Sequence, residues 1–401
     1  MTKNTIKPTP AKSLQRRIGY LGGVQNGPTV VFFGGVHGNE MAGVKAIEHI
    51  FQRLQNDSST IKGAIYGIRG NMAAQLQQKR YLTNDLNRLW TKKNVTKILD
   101  KAVGLRSGEE HELVEIYELL TEIINTGSPP YYFIDLHTTS SKTLPFITIN
   151  DAMINRDFSK NYPVPIILGI EEYLEGPLLS HMNERGYVSL GFESGQHTDV
   201  ESVINGIAFI WLTLVFSGVL TPAEVPDYEL HFKRLQEAVN MDMNFYEVMY
   251  RHALTKKDNF EMLPGFKSFQ KVSKGEVVGI QNQVDVSVQK NAILFMPLYQ
   301  KQGEDGFFLI RPIPDWALKL SRSFRKNKID GWLTFLPGIS WGDPGKESLL
   351  VNTSVAKFFA KSFFHLLGYR NRSVNKTHLL LHNRERAAKN EMYRNEWWFK
   401  G

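Results

Sequence analysis

From residue 30 to about residue 255, apolar runs of strand length alternate with longer amphipathic segments. That alternation restricts the chain to a mostly parallel sheet covered by helices on both faces. The runs are Val30 to Phe33, Ala64 to Ile68, Tyr132 to Leu136, Val164 to Ile167 and Val188 to Phe192. The helical segments are Met41 to Leu54, Glu109 to Ile124, Val203 to Phe216 and Leu230 to His252, the last polar enough to lie at the surface and lead into a linker. From about Phe260 the texture changes to short β-like runs, GFKSFQKV, SKGEVVG, ILFMPLY and GFFLIRP, separated by Gly and charged turn residues. That pattern predicts a small all-β domain. Further on, VAKFFAKSFFHLLG carries apolar residues at 355, 358, 359, 363, 366 and 367, a helical stripe with Gly368 as its cap. The expected organisation is therefore an α/β domain over 1–255, a β-rich domain over 256–345 and a basic helical tail over 346–401.

Composition narrows the chemistry. The 401 residues include no cysteine, so disulfides and thiolate metal sites are excluded. Any transition metal must be held by His and carboxylate, which suits zinc. The opening MTKNTIKPTP has no apolar segment of the secretory kind, which makes the cytoplasm the expected location. The longest apolar run, Ile207 to Leu220, falls short of the roughly 20 residues a membrane span needs and reads as a buried helix. The net charge of +8 is concentrated at one end: Val351 to Gly401 holds ten Lys and Arg against three Glu. Such a tail could bind RNA or an anionic surface. The favoured reading is an arm packing on its own body or on a second copy of the chain, with neither nucleic acid nor membrane as a partner.

Candidate chemistry lies where apolar runs end. In VVFFGGVHGNEMAG, His37 and Glu40 follow the first strand across a glycine pair, on the turn where α/β sheets bind ligands. Taken alone, the pair reads equally well as a polar surface turn. In RYLTNDLNR, Arg80, Asp85, Asn87 and Arg88 share one loop, and two guanidiniums with an amide suit recognition of a carboxylate. In YFIDLHTTSS, His137 ends a strand with Asp135 two residues before it on the same side. Such a His is usually a satisfied core residue; next to an Asp it is also a common metal-ligand arrangement, the carboxylate fixing the imidazole's tautomer. In VSLGFESGQH, Glu193 ends another apolar strand, where a carboxylate needs a cation or an acid–base role to offset its burial. His37, Glu40 and His137 together are the ligand set of one catalytic zinc per chain, and Glu193 is a free carboxylate able to take a proton from its water.

These four stretches, in this order, resemble the succinylglutamate desuccinylase/aspartoacylase family, which shares the zinc carboxypeptidase fold. The resemblance covers roughly residues 18 to 340. It implies a three-layer αβα domain with a mixed, mostly parallel sheet, and a smaller C-terminal β domain that caps the active site. It further implies that His37, Glu40 and His137 bind zinc, and that Glu193 promotes attack of water on an amide carbonyl. By the same resemblance Arg80 polarises that carbonyl, Asn87 and Arg88 hold the substrate's carboxylate, and Asp85 is a structural acid. Two family features have no direct match. Where aspartoacylases carry an arginine that reads the substrate's acidic side chain, this chain has Asn183, with Arg185 the nearest substitute; where they carry a tyrosine, the nearest is Tyr299. The expected function is zinc-dependent hydrolysis of an N-acyl amino acid or related small linear amide. A carboxypeptidase acting on peptides is the alternative enzyme, and a non-catalytic zinc-containing binding protein the alternative of another class.

Overall fold

The computed structural model describes residues 14–23, 25–55, 60–327, 330–346, 348–352, 355, 367–373 and 377–400. The strands are β1 (Arg17–Gly22), β2 (Gln25–Gly34), β3 (Lys62–Arg69), β4 (Tyr131–Thr139), β5 (Phe146–Thr148), β6 (Ile166–Leu168), β7 (Val188–Gln196), β8 (Phe245–Ala253) and β9 (Phe260–Met262). They continue with β10 (Gln270–Val272), β11 (Val277–Gln281), β12 (Val284–Ser287), β13 (Ala292–Phe295), β14 (Asp305–Pro312), β15 (Ile339–Trp341), β16 (Ser348–Asn352), β17 (Tyr369–Ser373) and β18 (His378–Asn383). Eleven of them form one sheet in the order β1-β3-β2-β4-β7-β5-β6-β8-β14-β13-β10. Its centre, β3-β2-β4-β7, is parallel, while β8, β14, β13 and β10 pair antiparallel. The sheet therefore runs unbroken past residue 255, and residues of the β-rich region are hydrogen-bonded directly to β8.

The central strands are buried on both faces, as parallel strands must be when helices cover each side. Val30 and Phe32 of β2 pack with the helices Met41–Leu54 and Val200–Phe216, where Phe192 and Phe209 stack with ring centroids 3.9 Å apart. Val31 and Phe33 point to the opposite face, against the helix Gly108–Thr126. That helix opens with a capping box, in which the Ser107 hydroxyl accepts from the Glu110 N–H and the Glu110 carboxylate accepts from the Ser107 N–H. No helix among the described residues is long and apolar enough to cross a membrane.

Two expectations are corrected. The segment Leu230 to His252 is not one helix: the helix Tyr228–Ala238 ends, Asn240 and Met241 take positive φ, and Phe245–Ala253 becomes β8. In FYEVMYR, Tyr246, Val248 and Tyr250 recur at every second position, a run of β-favouring residues that fits a pleat better than a helix surface. The region beyond 346, expected as a helical tail, contributes β16, β17 and β18 to a four-stranded antiparallel sheet with β15. Alternation in SLLVN and HLLLHN buries one face of that sheet around Leu349, Val351 and Leu381. The helical stripe over 356–366 lies outside the described residues.

The end of the chain returns to the main body. Tyr393 and Trp398 are fully buried against Tyr132 and Phe158, and the Tyr393 hydroxyl donates to the Tyr131 carbonyl at 2.6 Å and accepts from the Val188 N–H at 2.9 Å. Part of the tail's positive charge is used internally. Arg384 pairs with Glu171 and Glu172, and the Lys389 ammonium lies 3.9 Å from the centroid of the Tyr187 ring.

Candidate active site

The site forms beyond the carboxyl ends of the adjacent central strands β2, β4 and β7. After β2 the chain must turn at once to deliver His37 and Glu40, and two glycines permit it. Gly35 has φ +68°, and a side chain at Gly38 would strike the backbone of Ala74 and Lys79. The turn closes with the Glu40 N–H donating to the His37 carbonyl at 3.1 Å, which puts Glu40 at the start of the helix Met41–Leu54. On β4 and β7, His137 and Glu193 are register partners on neighbouring strands.

Nδ1 of His37 and Nδ1 of His137 each lie 2.8 Å from a different oxygen of the Glu40 carboxylate. Ligand atoms of His37, Glu40 and His137 all fall within 4.8 Å of one another, and all three residues are buried. The outward nitrogens are backed by acids: His37 Nε2 is 3.1 Å from Asp85 Oδ1, and His137 Nε2 is 2.7 Å from Asp135 Oδ2. Two imidazoles converging on a carboxylate, each braced by a second carboxylate, form a donor set that fits a divalent metal. Burial alone would raise the Glu40 carboxyl, but His37 and His137 hold it well below the usual range. Asp85 is held down against its burial by His37 and Arg80. For His137, burial opposes protonation, and Asp135 and Glu40 outweigh it.

Glu193 differs from the other acids. It is buried, its Oε2 has no hydrogen-bond partner, and burial, with Glu40 and Asp135 adding to it, pushes its carboxyl up to about 8. A carboxyl raised on folding adds stability that is complete below its unfolded value near 4.5 and is lost as pH rises through about 8. In chelator-treated protein, Glu193→Gln is therefore expected to gain stability over the parent between pH 5 and pH 9, by up to about 4 kcal/mol. Urea unfolding at the two pH values measures the gain, and a pH-independent difference would contradict the assignment.

Arg80 reaches the centre from the side. Its Nη1 donates to Glu40 Oε1 at 3.3 Å, its Nη2 donates to Asp85 Oδ2 at 3.2 Å, and its buried Nε has no partner. Asn87 and Arg88 line the same cavity, of about 130 Å³. The Asn87 side-chain Oδ1 accepts from the Leu178 N–H at 2.9 Å, and Arg88 Nη2 donates to Asp305 Oδ2 at 3.2 Å. Residues between Met296 and Phe308 complete the walls. The C-terminal strands are pinned over the HGNE turn by Gln300, whose side-chain oxygen accepts from Asn39 Nδ2 at 2.9 Å.

Two expected substrate residues lie elsewhere. Arg185 caps the helix Leu178–Glu184, whose Leu179 and Ser180 face the cavity; it lies near His181 and does not line the cavity. Tyr299 points into the β-rich region, where its hydroxyl donates to the Leu263 carbonyl at 2.6 Å and accepts from the Phe266 N–H at 3.0 Å. Conversely, Glu171, His197, Gln300 and Asp305 line the cavity and were not singled out from the sequence. His197 follows Glu193 by four residues and its Nδ1 is 2.8 Å from the Thr138 hydroxyl, so proximity to an apolar strand's end was the one available signal.

Comparisons with known proteins converge on one family. Residues 26–161 match the succinylglutamate desuccinylase/aspartoacylase catalytic domain. No curated protein is similar enough in sequence to count as a match. Among solved structures, succinylglutamate desuccinylase/aspartoacylase from Rhodobacter sphaeroides superposes with a TM-score of 0.54 at 17% identity, covering 74% of this chain and 88% of its own. Succinylglutamate desuccinylase from Vibrio cholerae gives 0.53 at 16%, covering 73% and 84%. The ectoine utilization protein EutE (DoeB) from Ruegeria pomeroyi, in a product-bound structure, gives 0.52 at 15%, covering 73% and 87%. At these identities the likeness is one of fold.

Proposed function

We propose that the chain, whose residues 26–161 match the succinylglutamate desuccinylase/aspartoacylase catalytic domain, is a zinc-dependent deacylase. Its substrate is an N-acyl amino acid or a related small linear amide. The observation that carries this reading is the pairing of a buried His37–Glu40–His137 donor set with Glu193, a buried carboxyl in the same cavity that has an unpartnered oxygen. A site that only bound metal would have no use for the second group.

Zinc held by His37, Glu40 and His137 would supply Lewis acidity, lowering the pKa of a water toward neutrality. Asp85 and Asp135 keep the two imidazoles oriented. Glu193 takes the proton from the attacking water and returns it to the leaving amine, a role open to a buried carboxyl with an unpartnered oxygen in the same cavity. Arg80, with a free Nε donor, stabilises the oxyanion that develops as the carbonyl becomes tetrahedral, a contribution commonly worth about 3 to 4 kcal/mol per donor. Asn87 and Arg88 hold the substrate's carboxylate through paired donors. Residues between 296 and 308 contribute walls to the cavity, an arrangement that favours small substrates, and so a deacylase over a carboxypeptidase acting on long peptides.

Amine release from a panel of N-acetyl, N-succinyl and longer N-acyl amino acids tests the reading. Zinc-loaded protein is expected to release amine from at least one member, with activity lost on chelation and restored by zinc. Release that survives chelation, or preferential trimming of long peptides, would contradict it.

A further inference from the structure

The wall beside Asn87 and Arg88 has a composition of its own. Away from the three candidate metal ligands, the cavity lining includes the apolar Ile149, Leu174, Leu179, Met296, Leu298 and Phe308, with uncharged polar residues such as Thr148, Asn150 and Ser180 among them. Its two arginines are both engaged: Arg80 by Glu40 and Asp85, and Arg88 by Asp305. No other Arg or Lys lines it, and Arg185 lies outside. The charged groups remaining on these walls are carboxylates. Asp305 sits between Arg88 and Arg251, and Glu171 accepts from the Asp151 N–H at 3.0 Å and lies 3.0 Å from Arg384.

Position decides which half of a substrate meets the apolar wall. The Asn87 side chain accepts directly from the Leu178 N–H, so the Pro177–Leu179 segment adjoins the pair assigned to the substrate's α-carboxylate. A group next to that carboxylate is the amino acid's side chain. Resting on the function proposed above, we infer that the chain takes N-acyl derivatives of amino acids with uncharged, apolar side chains. It discriminates against acidic ones. A single carboxylate has a place on Asn87 and Arg88, with Asp305 retained by Arg251. A second carboxylate would enter a space lined mainly by uncharged side chains, with Glu171 and Asp305 nearby and no Arg or Lys beyond Arg80 and Arg88 on the walls to receive it. Leu179 is the specificity-determining residue that follows, because it lies on the wall immediately beyond Leu178.

The test uses binding as well as turnover. Calorimetric titration of the zinc-loaded full-length Glu193→Gln protein with N-acetyl-leucine, N-acetyl-methionine, N-acetyl-aspartate and N-succinyl-glutamate should show the apolar pair binding about 10- to 100-fold more tightly. In the parent protein kcat/KM should follow the same order, and Leu179→Arg should narrow or invert it. Equal or tighter binding of the acidic pair, or no binding of any of the four, overturns the inference. Zinc-dependent cleavage of the acidic pair would overturn it while leaving the deacylase reading standing. Selective binding of the apolar pair without cleavage by the parent protein would do the reverse.

Discussion

Glu193→Gln is expected to lower turnover by roughly 10³-fold or more while leaving metal uptake and substrate binding intact. The substitution keeps the shape of a buried side chain that makes no hydrogen bond through Oε2, and removes only its capacity to carry a proton. His37, Glu40 and His137 make no hydrogen bond to Glu193, so the donor set should persist. The measurement is kcat on any substrate that the parent cleaves, alongside metal content per chain. Turnover within tenfold of the parent would remove Glu193 from the mechanism.

Trp398→Ala is expected to cost about 3 to 5 kcal/mol of stability, the range for removing a large buried aromatic side chain. The ring is 1% exposed and packs on Phe158 and Tyr132, with Tyr393 beside it. Tyr132 lies on β4, the strand that carries His137, so the C-terminal residues brace a strand of the site. The cavity left behind is lined by rigid aromatic groups and cannot collapse fully. Denaturant unfolding measures the loss; a change below about 1 kcal/mol would mean that the end of the chain only rests on the body.

The sequence made the catalytic half of the fold legible because its strands are short, uninterrupted and end in polar residues. Val30 to Phe33 runs straight into GGVHGNE, and Tyr132 to Leu136 runs into His137, so both the strands and the edge bearing the chemistry could be read from the pattern alone. Side-chain direction was legible only locally. Asp135 and His137 share a strand face by the period of two, and the structure has them in contact at 2.7 Å. Arg185 and Tyr299 were assigned by nearness in sequence, but their directions depend on where the helix Leu178–Glu184 and the loop before β14 come to rest. Asp305 could not be found at all from sequence, because its meeting with Arg88 spans 217 residues and depends on β14 joining the main sheet through β8. In the C-terminal region, Lys, Arg and aromatic residues read as an arm packing on its own body or on a second copy, and Arg384, buried against Glu171 and Glu172, and Trp398, in the core, do pack on the body. Composition did not show that β16, β17 and β18 form a sheet there.

The central claim, that His37, Glu40 and His137 form a working metal site, is tested most directly by metal content. Protein dialysed against zinc and freed of excess should retain one zinc per chain. His37→Ala and His137→Ala should each retain well under a tenth of that while keeping the parent's circular dichroism. Full occupancy in either variant, or none in the parent, would contradict the account.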